Sequence, residues 1–144
     1  MGIMADVRAG ATVVLQAVRT ANPTLIGDVH SARPASLALG APAAYVGDFR
    51  GNIAATTTLR QWTGCEVDIV LVFNAMDNAD QQAAADTLAQ LVTDQFSSTP
   101  NFANAYSVGE PVRIRTATEL DSNGVSYPAV VITIGRITYL EGGY

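Results

Sequence analysis

Asp28-Val29-His30-Ser31 is the one place in this chain where an acid, a histidine and a hydroxyl stand together. A nucleophilic triad needs those groups to converge from separate segments, so neighbours in one short run do not make one. His30 therefore reads as a solvated or loop-ordering residue. It is the only histidine and Cys65 the only cysteine, so a zinc site would have to take most of its ligands from carboxylates. Cys65 precedes Glu66, the opposite of the basic neighbour that activates a thiol, and reads as a small buried hydrophobe. A single cysteine also excludes an internal disulfide. Asp77, Asp80 and Asp86 could suggest a metal cluster, but the first two fall in the opening turn of a helix, where carboxylates cap and favour the dipole. Gly40, Gly47 and Gly51 lack the Lys-Ser/Thr that follows a phosphate-cradling loop. Tyr45, Phe49 and Trp62 lack the surrounding basic density of a base-stacking platform. No active site, metal set or cofactor site assembles from these residues, and an enzyme is not expected.

The composition points the same way. Only 15% of the 144 residues are charged while 49% are hydrophobic. Soluble domains carry about 25% charged residues, so part of this surface suits cover by neighbouring subunits. An alanine-rich, high-GC coding bias gives the same composition. All eight basic residues are arginine, whose planar fork serves interfaces well. The net charge of −5 argues against gripping a phosphate backbone, though an acidic channel would let a duplex slide without sticking. The first residues lack the basic and apolar segments of a secretion signal, and no run approaches the roughly 18 apolar residues of a membrane span. A soluble, cytoplasmically made chain is the expectation. At this length one domain, residues 1–144, with a single core is expected.

The elements that must position these residues are well marked. Val7, Ala11, Val14, Leu15 and Val18 recur at helical spacing over residues 5–21, stopped by Asn22-Pro23. Gly10 weakens that helix, so docking must hold it. Residues 22–44 form a long Pro, Ala, Gly and Ser-rich connection in which Thr24 to Val29 could pair as a short strand. Tyr45–Phe49 and Ala54–Trp62 read as hairpin arms around Arg50-Gly51-Asn52, with β-branched Thr56, Thr57 and Thr58 in the second arm. Gly64 then separates this hairpin from a central strand. There Cys65, Val67, Ile69, Leu71 and Phe73 share one face, and Glu66 and Asp68 give way to Val70 and Val72 on the other, an interior strand. Asn78 and Gln81 spell a capping box for a second helix, with Ala84, Leu88, Leu91, Val92 and Phe96 as its buried stripe. Val112, Ile114 and Thr116 alternate with Arg113, Arg115 and Ala117 as a half-buried strand, and Asn123-Gly124 turns it into a long strand over Tyr127–Tyr139 with apolar residues on both faces, Arg136 being an exception. That last strand is long enough to run past its own sheet and meet a neighbour. The fold class is α+β: a largely antiparallel, or mixed, sheet with two helices packed on it, in the order helix-hairpin-strand-helix-hairpin.

This order, with the strand Val67–Phe73, the helix Ala79–Phe96 and the closing hairpin Val112–Tyr139, resembles the tail terminator (tail completion) proteins of long-tailed bacteriophages. The likeness covers most of the chain, best from Tyr45 onward. It implies a structural virion protein without a cofactor, forming a hexameric ring that caps the tail tube, stops its polymerisation and presents the head-joining surface. The implied partners are the chain itself, the tail tube protein and a head-completion protein. No membrane and no specific nucleic-acid binding are implied, although DNA would pass through the ring. The implied location is the head-tail junction of the virion, after assembly in the host cytoplasm. Another neck component, such as a head-completion or connector adaptor protein, and a monomeric ligand-binding domain are the alternatives.

Two sets of residues carry site hypotheses. Phe49 and Arg50 near the hairpin turn, with Arg60 and Trp62 at its base, are the expected tail-tube contact, since aromatic and arginine side chains dominate binding hot spots. Glu66 and Asp68 on one strand face match Arg113 and Arg115 on another, which suggests cross-strand or intersubunit ion pairs.

Overall fold

Val67, Ile69 and Leu71 alternate with Asp68, Val70 and Val72, and the strand they form sits in the middle of a five-stranded sheet. The structure, a computed structural model, describes residues 2–35, 42–55, 59–104, 107–121 and 123–142, without the side chains of 52–60, 141 and 142. Its elements are α1 (Ile3–Ala21), β1 (Asp28–His30), β2 (Ala43–Ala55), β3 (Leu59–Val72), α2 (Ala79–Ser98), β4 (Val108–Leu120) and β5 (Ser126–Gly142). The strands lie in the order β1-β2-β3-β5-β4. Only β1 and β2 run parallel; every other pair is antiparallel. The fold is α+β.

Both helices pack on one face of this sheet. From α1, Ile3, Val7, Ala11, Val14, Leu15 and Val18 meet Ala44 and Val46 of β2 and the inward residues of β3 and β5 in a single core. The α2 start is held by a complete capping box: the Asn78 side chain accepts from the Gln81 amide at 2.9 Å, and Gln81 returns the bond to the Asn78 amide at 3.3 Å. Its buried stripe is Ala85, Leu88, Ala89, Val92 and Phe96: Leu88, Val92 and Phe96 stand as read from spacing, while Ala84 is exposed and Leu91 only half-buried, their places taken by Ala85 and Ala89. Cys65 is fully buried among these residues. The short strand foreseen in residues 24–29 lies at its end, where Asp28, Val29 and His30 pair with Ala43, Ala44 and Tyr45.

The first hairpin differs from the sequence reading. Arg50, Gly51 and Asn52 do not turn the chain; they lie inside β2, with Arg50 opposite Glu66 and Asn52 opposite Thr63. The connection falls at residues 56–58, outside the described residues, where the expectation for Thr56, Thr57 and Thr58 also lies. Gly51 is required for space: a Cβ there would sit 2.4 Å from the Cys65 Sγ. Gly64, expected to separate hairpin from central strand, has φ +62 and forms a bulge within a continuous β3. The central strand is therefore the second arm of the hairpin. On the other side of β3, Arg136 at φ 54 belongs to a matching bulge of β5. Further irregularities at Val46/Phe49 and Pro111/Arg113 carry this line of bulges across all four long strands. Bulges add twist and bend, so the sheet changes direction here.

Strand length exceeds helix length. At about 3.3 Å per residue β5 spans roughly 55 Å, whereas α2 at about 1.5 Å per residue spans roughly 30 Å. The last core contacts of the long strands are Phe49, Trp62 and Tyr139, and the ladder continues past them to Leu59 opposite Gly142. The end of β5 therefore stays paired within its own sheet. At the other end, Asp121 accepts from the amides of Asn123 and Val125, both at 2.9 Å, and Gly124 at φ +81 completes the β4–β5 turn. β4 is the edge strand, and Val112 and Ile114 are 36% and 53% exposed. The half-buried alternation expected there fails because α2 leaves much of the helix-side face of β4 uncovered.

Candidate functional site: the charged open face of the sheet

The face turned away from the helices carries two zones, an apolar one near the β4–β5 turn and a charged one at the bulges. Tyr45, Val70, Val72, Ala129 and Val131 form a small separate core, with Ala117 and Tyr127 packed against it. The next residues along β3 on this face are Asp68 and Glu66, so polarity changes within one strand.

Asp68 is the centre of the charged zone. Its Oδ2 accepts from Arg50 Nη1 at 3.1 Å, and its Oδ1 from Arg50 Nη2 at 3.1 Å and from the buried Thr133 hydroxyl at 2.9 Å. This is a two-pronged guanidinium-carboxylate pair, the geometry in which arginine binds best. Arg50 Nη2 also reaches Glu66 at 3.1 Å, and Arg113 meets the same Glu66 oxygen at 3.4 Å. Burial pushes the Asp68 carboxyl upward, but hydrogen bonds from Arg50 and Thr133, with the charges of Arg50 and Arg115, outweigh it and leave the group below the usual carboxylate range. The bonds to Asp68 and Glu66 outweigh burial at Arg50 and hold its proton more tightly.

The four residues matched by charge are thus gathered on one face, with a different partnership. Glu66 pairs with Arg113, whereas Asp68 is taken by Arg50 and feels Arg115 only through space. Sequence reasoning placed Arg50 in a different site and did not name Thr133, because their part in this network depends on register: Arg50 stands across from Glu66 and Thr133 across from Asp68.

The expected tube-contact residues are divided between the two faces. Phe49 and Trp62 meet edge to face, centroids 6.1 Å apart at 65°, against the helix-side core. Arg50 points to the opposite face, into the Asp68 network. Arg60 pairs by its backbone with Ala55 and Glu141 near the far end of the hairpin, and its side chain lies outside the described residues. Phe49 and Arg50 lie in mid-strand, inside β2 (Ala43–Ala55). Replacing both with Ala therefore lowers subunit stability as well as altering any contact.

A cleft of about 250 Å³ opens beside the network, bounded by Arg8, Arg33, Tyr45, Asp48, Arg115 and Glu119, over Val70 and Val131. Arg8 reaches it from α1 and donates to the carbonyls of Ser31 and Val46 and, at 3.1 Å, of Gly47. Those bonds begin where pairing with β1 ends. Arg33 crosses to the other side of the sheet, donating to the Leu120 carbonyl and lying 3.7 Å from Glu119. Burial, reinforced by the hydrogen-bonded Glu119 carboxylate, raises the Tyr45 phenol well above its ordinary value of 10.0. A raised folded-state pKa means full stability below pH 10 and loss as pH rises through the folded value. Thermal melts of wild type and Tyr45→Phe should therefore diverge only above about pH 10, with wild type losing stability faster.

His30 is half-buried on β1, and Asp77, Asp80 and Asp86 are exposed at or on α2. Among the described residues no three His, Cys, Asp or Glu side chains form a metal set, and no helix is long and apolar enough to cross a membrane.

A helix-backed α+β sheet whose open face carries a charged network defines the chain as a class. Among known proteins, no family model and no curated protein matches it. A solved structure does: a chain of the virion of a native gene transfer agent (GTA) particle superposes with a TM-score of 0.58 at 12% identity, covering 96% of this chain and 98% of that one. At that identity the likeness is one of fold.

Proposed function

We propose that this chain is a structural virion protein of a phage-like particle, a tail terminator that forms a ring on the tail tube, halts its polymerisation and offers the surface to which the head joins. The observation that carries the reading is end-to-end agreement of fold with a chain of the gene transfer agent virion, 96% of one and 98% of the other. The order of elements resembling tail terminators, the low charge and the exposed apolar edge strand support it. The hexamer, the partners (the tail tube protein and a head-completion protein) and the place at the head-tail junction belong to the same proposal, as does a role without catalysis or cofactor.

Deleting the gene from a particle-producing cell tests it. Electron microscopy is expected to show overlong tubes and tailless heads, both restored to normal by the chain supplied in trans. Normal tails on heads that leak DNA would instead indicate a head-side neck component. Particles unchanged in number, tail length and infectivity would contradict both.

A further inference from the structure

The cleft beside the Asp68 network holds more cation than its own acids neutralise. Arg50 is spent on Asp68 and Glu66, and Arg113 shares Glu66. Arg33 is held by the Leu120 carbonyl and lies beside Glu119. Arg8 gives its bonds to the carbonyls of Ser31, Val46 and Gly47, neutral acceptors that leave it without a balancing carboxylate. Arg115, exposed on β4, makes no hydrogen bond or ion pair among the described residues. Asp68 does not serve it, because both carboxylate oxygens accept from Arg50 and one accepts from Thr133 as well. Asp48 is the one acid of the rim still unpaired, but it stands on β2. At about 4.8 Å per strand, β2 and β4 lie roughly 14 Å apart across β3 and β5, and the two side chains do not meet. Cleft and network together set five arginines against four acids. That is a surplus of positive charge in a chain whose net charge is −5.

The cleft also selects its anion. Arg115 has its whole planar fork free, and that fork matches a carboxylate through two parallel bonds. A volume of about 250 Å³ admits a side chain, and the floor of Val70 and Val131 suits methylenes beneath a charged tip. A nucleic-acid backbone carries a charge at every nucleotide and would set the next ones against Asp48 and Glu119. One carboxylate satisfies the surplus; a polyanion does not.

We propose that this cleft is the docking site for an acidic side chain, a glutamate, of a partner protein, with its carboxylate on the Arg115 fork and its methylenes over Val70 and Val131. Arg8 and Arg33 add their field without needing to bond it. The site stands apart from the terminator reading, since a head-side neck component would use it in the same way.

Arginine side-chain NMR and a charge reversal test it. A short blocked peptide with a single glutamate should shift the Arg115 Nε–H signal, with half-saturation about tenfold below that of Arg19, an exposed arginine of α1. The glutamine version of the peptide should shift neither. In a particle-producing cell Arg115→Glu, with an unchanged melting temperature, should lower particle yield about tenfold, and second-site revertants should replace an acid by a base in the partner. An equal response of Arg115 and Arg19, a stronger response to inorganic phosphate than to the glutamate peptide, or full particle yield from Arg115→Glu would overturn the site. The terminator reading fails by a different result, the unchanged tail length on gene deletion described above.

Discussion

Gly10→Ala should lower the melting temperature by roughly 10 °C, about 3 kcal/mol for a domain of this size. On a solvent-facing helix the same change adds about 1 kcal/mol of stability, so the expected sign is reversed. The cause is close approach. A Cβ on Gly10 would lie 2.0 Å from the Phe102 carbonyl oxygen and 2.7 Å from its carbon, and backbone cannot swing aside as a side chain can. Phe102 is itself held, ring edge on Phe96 with centroids 5.4 Å apart, and Phe96 is fully buried. Moving the segment after α2 would thus open the core. The exposed neighbour Ala9 is the control: Ala9→Gly should destabilise by only about 1 kcal/mol. A Gly10→Ala melt equal to or above wild type would show that this segment does not rest on α1.

Asp68→Ala should destabilise by about 2–3 kcal/mol in chemical denaturation, below the roughly 3–5 kcal/mol for breaking a fully buried pair because Arg50 is half exposed. The loss arises from what remains: Arg50 without its two-pronged acceptor and a buried Thr133 hydroxyl without its partner. Asp68→Asn, which keeps the shape and removes the charge, should fall between. The pH dependence has a definite sign. Because the folded-state pKa of Asp68 is depressed, its contribution is present above the ordinary value of 3.8 and is lost as pH falls through the lower folded value. Wild-type and Asp68→Asn stabilities should therefore converge as pH drops below about 4. Parallel curves down to pH 2 would mean that the carboxylate is not the network's centre.

The sequence made the helices legible because their signals are local. The Asn78/Gln81 capping box, the Asn22-Pro23 stop and the 3.6-residue stripes each act within a turn or two. The final hairpin was legible for the same reason, through Asn123-Gly124. The first hairpin was not, because a glycine signals both a free backbone angle and a missing side chain. Gly51 serves the second role against Cys65, while Gly64 serves the first inside a strand. Charge matching found the right face of the sheet, since Glu66, Asp68, Arg113 and Arg115 alternate with apolar residues. It could not find the Asp68–Arg50 pair, because pairing across β2 and β3 depends on bulges that no local pattern announces. The cleft was illegible too: Arg8, Arg33 and Glu119 come from a helix, a loop and an edge strand.

Native mass spectrometry of the wild-type chain at high micromolar concentration, alone and on isolated tail tubes, tests the terminator reading most directly. Six copies of the 15.1 kDa chain should appear as a closed species of about 90 kDa, at least on the tubes, and the capped tubes should stop growing. Monomers alone in both samples, with tubes that continue to lengthen, would contradict it.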